Sequence, residues 1–197
     1  MKARHLVIIL FVLFLAGSMA PFAQTSAADK TQVSGTETFN PLGLFGQPAV
    51  GMIISPGTVL CPGFDPTGDP MQPCPPESRT HIRGFTIISR VEAADPRLSG
   101  WMTVELNANM DAEYTGPVWG TFSLALDAGG TWDGTWQGRR SRVGDHWVVP
   151  LHVSGQGTGG AVDGMKLMVV DRIVVPTAAP IAYTGTIEGR IVDPHSK

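Results

Sequence analysis

Cysteine is nearly absent, with only Cys61 and Cys74 in 197 residues. That rules out a disulfide-dense miniature scaffold. With no Cys-x-x-Cys, His-x-His or His-Glu-x-x-His, it also leaves no spacing for a dithiol redox centre or a zinc site. Basic charge is in short supply too, with 14 Lys and Arg against 17 Asp and Glu. A chain without basic excess cannot neutralise a phosphate backbone, so nucleic acid is not an expected partner. Helical periodicity is missing. No stretch after residue 28 carries apolar side chains at i, i+3, i+4 and i+7 without a Gly or Pro breaking it. Neither Ser141 nor Ser154 sits in a Gly-x-Ser-x-Gly elbow. "GQGTGG", residues 155–160, opens no helix that could hold a pyrophosphate, so no cofactor and no metal is expected.

Long apolar runs are also lacking, with one exception. Leu6 to Ala16, "LVIILFVLFLA", follows the basic start Lys2, Arg4 and His5 and precedes small residues ending in Ser26-Ala27-Ala28. This is the layout of a secretory leader, and it is short of the roughly 20 residues a bilayer-crossing helix needs. The expected organisation is a leader over 1–28 and one domain over 29–197, secreted or otherwise extracytoplasmic, with no membrane span once the leader is removed. Losing Lys2 and Arg4 takes the count from 14 basic against 17 acidic, net −3, to 12 against 17, net −5. In an oxidising compartment, Cys61 and Cys74 are expected to pair across "CPGFDPTGDPMQPC". Closing such a loop contributes roughly 3 kcal/mol. Asp65 and Asp69 in that loop read as turn chemistry, since their spacing misses the EF-hand pattern.

What is abundant is alternation of period two, punctuated by turns. In "GWMTVELNANM", Met102, Val104, Leu106, Ala108 and Met110 take one face, and Trp101, Thr103, Glu105, Asn107 and Asn109 the other. "GPVWGTFSLAL", "TWDGTWQGRR", "WVVPLHVSG", "MKLMVVDRIVV" and "YTGTIEGRIV" continue the series, and "HIRGFTIISRVE" precedes it. Shorter strands are expected within 31–39 and 49–60. The predicted fold is all-β, an antiparallel meander closed into a barrel of about eight strands, with the Cys61–Cys74 loop appended. An immunoglobulin-like sandwich fits less well, because there is no Cys…Trp…Cys framework. An outer-membrane barrel also fits less well, because Glu105, Asp133, Lys166 and Arg190 sit mid-strand.

Trp132, Gly134, Trp136 and Gly138 share one face of a strand. Glycine lets a curved wall bend and lets a neighbouring ring lie over its backbone, so the two tryptophans are expected to fill a barrel interior. The competing expectation is a Trp-lined ligand platform. The candidate ligand-binding residues are Trp132, Trp136 and the Trp101, Glu105, Asn107, Asn109 face. The last group requires that face to line a cavity, although the Met102–Ala108 face has the stronger claim on the core. Arg139, Arg140 and Arg142, the one basic cluster, read as a solvated strand end.

"GQGTGGAVDGMKLMVV", followed by "YTGTIEG", is similar to the G-x-G-x-(aromatic)-x-G turn and next strands of the allene oxide cyclase and dirigent barrels. The similarity covers residues 155–189, and Ala161 and Val162 stand where those families carry an aromatic. The wider layout resembles that of exported bacterial proteins. The resemblance implies an eight-stranded barrel with an internal cavity, often oligomeric, and transfers no catalytic residue. The leading expectation is a non-catalytic protein that holds a small apolar ligand or serves as a scaffold. The alternatives are an isomerase or cyclase acting on an apolar substrate inside the barrel, and a self-associating interaction protein, a homo-oligomer.

Overall fold

Alternating side chains and glycine-rich turns generate one continuous antiparallel sheet. The computed structural model describes residues 28–62, 74–75, 78–178 and 182–195. The expected leader and the loop residues Asp65 and Asp69 lie outside the described residues. The strands are β1 (Asp29–Phe39), β2 (Met52–Ser55), β3 (Thr58–Leu60), β4 (Thr80–Ala93) and β5 (Gly100–Met110), then β6 (Gly116–Leu126), β7 (Thr131–Val143), β8 (His146–Thr158), β9 (Lys166–Pro176) and β10 (Tyr183–Asp193). Strands β4 to β10 pair in sequence order, β10 pairs with β1, and β1 pairs back with β4. Eight strands thus form a closed ring, while β2 and β3 lie along β4.

The closing contact is short. Gly35–Thr38 of β1 pair with Ala93–Arg90 of β4. Beyond Thr38 the two strands part, and β2 and β3 take over as partners for Thr86–Ile88 and His81–Arg83 of β4. The disulfide Cys61–Cys74 ties the segment after β3 to the approach to β4, with a Cα–Cα distance of 5.5 Å.

Positions expected to share the core do so. Val104, Ala108 and Met110 of β5 are buried, as are Phe122, Leu124 and Leu126 of β6 and Val149 and Leu151 of β8. One end of the ring is packed solid. Two 3-10 turns, Pro96–Leu98 and Gly160–Val162, fold Leu98 and Val162 into it. Trp132 joins them, fully buried, its indole N–H donating to the Arg97 carbonyl at 2.7 Å.

The Trp/Gly alternation is resolved as packing. Trp136 is 5% exposed, and its indole N–H donates to the Thr121 carbonyl at 3.1 Å. Gly134 holds the Phe122 ring against its backbone, where a Cβ would come within 2.7 Å of Phe122 Cε1. Trp136→Ala is therefore expected to cost about 3–5 kcal/mol, as for emptying a large buried aromatic site. Gly134→Val is expected to destabilise, because its Cβ would meet the Ser154 carbonyl oxygen as well as the Phe122 ring. A thermal melt reads both as a loss of several degrees; melts unchanged by Trp132→Ala and Trp136→Ala would contradict this packing.

Candidate functional site

Away from the packed end, the inward residues of the ring leave a cavity of about 400 Å³. Its wall is chiefly aliphatic, including Val104, Leu106, Leu151, Ile173 and Val175, with Phe85, Phe122 and Trp136 alongside. Four polar side chains also face it: Glu37, Asp171, Tyr183 and Arg140.

Three of the four meet at adjacent strands. Glu37 on β1 lies opposite Gly185 of β10, and Asp171 on β9 lies opposite Ile187 of β10. Gly185 leaves the space that the Asp171 carboxyl uses, and a Cβ there would collide with Asp171 Oδ1. Glu37 and Asp171 are 1% and 3% exposed. The Tyr183 hydroxyl donates to Glu37 Oε1 at 2.5 Å, and its ring packs on Phe39 with centroids 5.4 Å apart. Ser89, also buried, faces the same hydroxyl.

Burial dominates the electrostatics here. It pushes the Asp171 carboxyl up to about 10, and the nearby Glu37 charge pushes in the same direction. At neutral pH Asp171 is therefore a protonated acid beside the Glu37 side chain. Burial and Glu37 likewise raise the Tyr183 phenol well above its ordinary value. Asp171 Oδ1 is buried with no hydrogen-bond partner among the described residues, so it can still engage a polar group placed in the cavity.

Arg140 stands apart from this cluster. It is half-buried near the end of β7, on the inward alternation with Trp132 and Trp136. Its guanidinium lies 4.1 Å from the centroid of the Trp147 ring. The expectation of a solvated strand end holds for Arg139 and Arg142, which are exposed, and is corrected for Arg140.

The expected Trp101, Glu105, Asn107, Asn109 face turns outward, because the opposite face of β5 fills the ring. Trp101 and Glu105 are exposed, with Arg90 stacked over Trp101 at 5.5 Å. Asn107 and Asn109 have a structural task. Asn109 Oδ1 accepts from Arg83 at 2.6 Å, and Asn107 Oδ1 accepts from the Gly84 amide at 3.1 Å. They hold the bulge between Ile82 and Phe85, where Gly84 has φ 66°. These four residues and the cavity are on opposite faces of the sheet. Of the six expected ligand-binding residues, only Trp136 lines the cavity, while Trp132 belongs to the packed end.

Glu37, Asp171 and Tyr183 were not singled out from the sequence, yet strand parity marks them. Asp171 continues Leu167 and Val169, Tyr183 precedes Gly185 and Ile187, and Glu37 falls between Val33 and Phe39. Among the described residues, no three His, Cys, Asp or Glu side chains group to hold a metal ion.

Asp171 makes folding pH-dependent. Its folded pKa is raised, so between its ordinary 3.8 and about 10 the folded chain keeps a proton that the unfolded chain releases. This contribution to stability is greatest at low pH and is lost as pH rises through that window, at up to about 1.4 kcal/mol per pH unit. Asp171→Asn, similar in shape and unable to ionise, is expected to flatten denaturation free energy against pH and to gain on the wild type as pH rises. Equal pH slopes for the two proteins would contradict a protonated Asp171. Compared with protein-family models, curated proteins and solved structures, this chain has no significant match in any of the three.

Proposed function

We propose that the protein holds one small, predominantly apolar molecule inside the strand ring. The cavity carries this reading. At about 400 Å³, it falls within the roughly 300–1,000 Å³ of small-molecule sites, and its aliphatic wall with a few converging polar groups matches their composition. The Cys61–Cys74 disulfide supports a working place outside the cytoplasm, where such bonds persist. Among the described residues, no helix is long and apolar enough to cross a membrane.

Acid–base isomerisation or cyclisation of the bound molecule is the second reading. A protonated carboxyl, a carboxylate and a phenol facing one apolar cavity favour it, since such groups donate and remove protons at carbon. In that reading Asp171, Glu37 and Tyr183 take the part for which the sequence offered Glu105. Self-association through the outer wall draws support from Met168 and Val170 of β9, exposed at 47% and 39%.

Native mass spectrometry of the protein purified from its host tests the main reading. The folded chain is expected to carry one small-molecule adduct that is lost on denaturation. Ala108→Phe, which places a ring in the cavity, is expected to carry none while remaining folded. The same spectrum reports the number of chains per particle. A bound molecule recovered unchanged after incubation supports binding alone, whereas conversion supports the isomerase. A bare wild-type mass, with a melting temperature unmoved by a panel of small apolar compounds, would contradict the proposal. A ligand at a hundredfold its Kd should stabilise by about 2.7 kcal/mol.

A further inference from the structure

Resting on the cavity reading above, we infer that Arg140 receives the carboxylate of a small apolar acid whose body lies along the aliphatic wall of the cavity.

A partly buried guanidinium without a counter-charge is costly, and proteins ordinarily supply a carboxylate to offset it. Here none is supplied by the described residues. Their ion pairs involve Arg90, Arg97 and His146, and Arg140 is in none of them. Its Nε is buried and has no hydrogen-bond partner. Burial pushes the pKa down to about 10, which still leaves a cation at neutral pH. Glu37 and Asp171 do not serve as counter-charges. Glu37 is held by Tyr183, Asp171 is protonated, and neither is a cause of the Arg140 shift.

The side chain is also held in place for recognition. Its face is stacked on Trp147, which is positioned by an indole N–H donated to the Glu113 carbonyl at 3.3 Å and by Tyr114 edge-on at 6.2 Å. Stacking occupies the face of the guanidinium, and at its edge the buried Nε has no acceptor among the described residues. That edge is the fork that matches a carboxylate with two parallel hydrogen bonds. The acidic cluster then fixes polarity. A negative head is repelled by Glu37 and attracted by Arg140, so the apolar body is directed to the wall between them.

Isothermal titration with three probes of one skeleton tests this: cuminate (p-isopropylbenzoate), cuminyl alcohol and cuminylamine. Wild-type protein is expected to bind cuminate at least tenfold more tightly than the alcohol, a comparison that needs no variant. Arg140→Met is expected to bring cuminate down to the level of the alcohol and leave the alcohol unchanged, and Arg140→Lys to fall between. Alcohol and acid bound equally, with Arg140→Met affecting neither, would overturn the role of Arg140 while leaving the cavity reading intact. Tightest binding of the amine would overturn it in favour of recognition by Glu37 and Asp171. Failure of all three probes to bind would overturn this inference, while the cavity reading stands or falls on the native mass spectrum and the compound panel.

Discussion

Closure of the ring rests on four residue pairs. Among the described residues, Gly35–Thr38 against Ala93–Arg90 is the pairing that joins β1, already laid along β10, to β4 at the far end of the β4–β10 meander. It needs a glycine, since a Cβ at Gly35 would meet the Glu92 carbonyl at 2.7 Å. It also sets the parity of β1. With Thr36 and Thr38 turned outward, Glu37 must point inward beside Val91, whether or not the interior welcomes a charge. The contact that encloses the core thus also buries the first member of the acidic cluster. Because the pairing is short, β1 and β4 separate below it, and the interior there is wider than the side chains fill.

The two halves of the interior follow different rules. In the packed half, Trp132, Leu98, Val162 and Leu124 fill the space, and Gly130 and Gly157 let Val162 lie against the backbone. In the other half a cavity persists, and burying Asp171, Glu37 and Tyr183 there destabilises the fold at neutral pH relative to an apolar wall. Local rules broken together in one place mark sites kept for something other than stability. An acid held protonated by burial, a phenol bonded to a carboxylate and an unpaired guanidinium are such breaks, and all four groups border the same cavity.

Much of the fold was legible because alternation is a one-dimensional signal. The two faces of β5 could be told apart from "WMTVELNANM" alone, and the Trp/Gly repeat of β7 identified interior packing before any contact was known. The site was less legible because parity was applied to apolar residues and not to charged ones. Glu105 drew attention by clustering with two amides, yet its strand offered a better inward face. Asn107 and Asn109 turned out to brace a bulge that lies in the neighbouring strand, a partnership across 23 and 26 residues of sequence. Asp171 sat inside the apolar run of β9, and Arg140 was grouped with two arginines that are solvated. Proximity of β1 to β9 and β10 depends on the first strand pairing with the last, and no local pattern reports it.

An apolar cavity enclosed by this ring is the claim on which everything else depends. Apolar cavity walls take up xenon, so crystals pressurised with xenon provide the most direct measurement. The account predicts xenon inside the ring, among Val104, Leu151 and Ile173, without movement of the β1–β4 pairing. An interior in which those side chains close on one another and admit no xenon would contradict it.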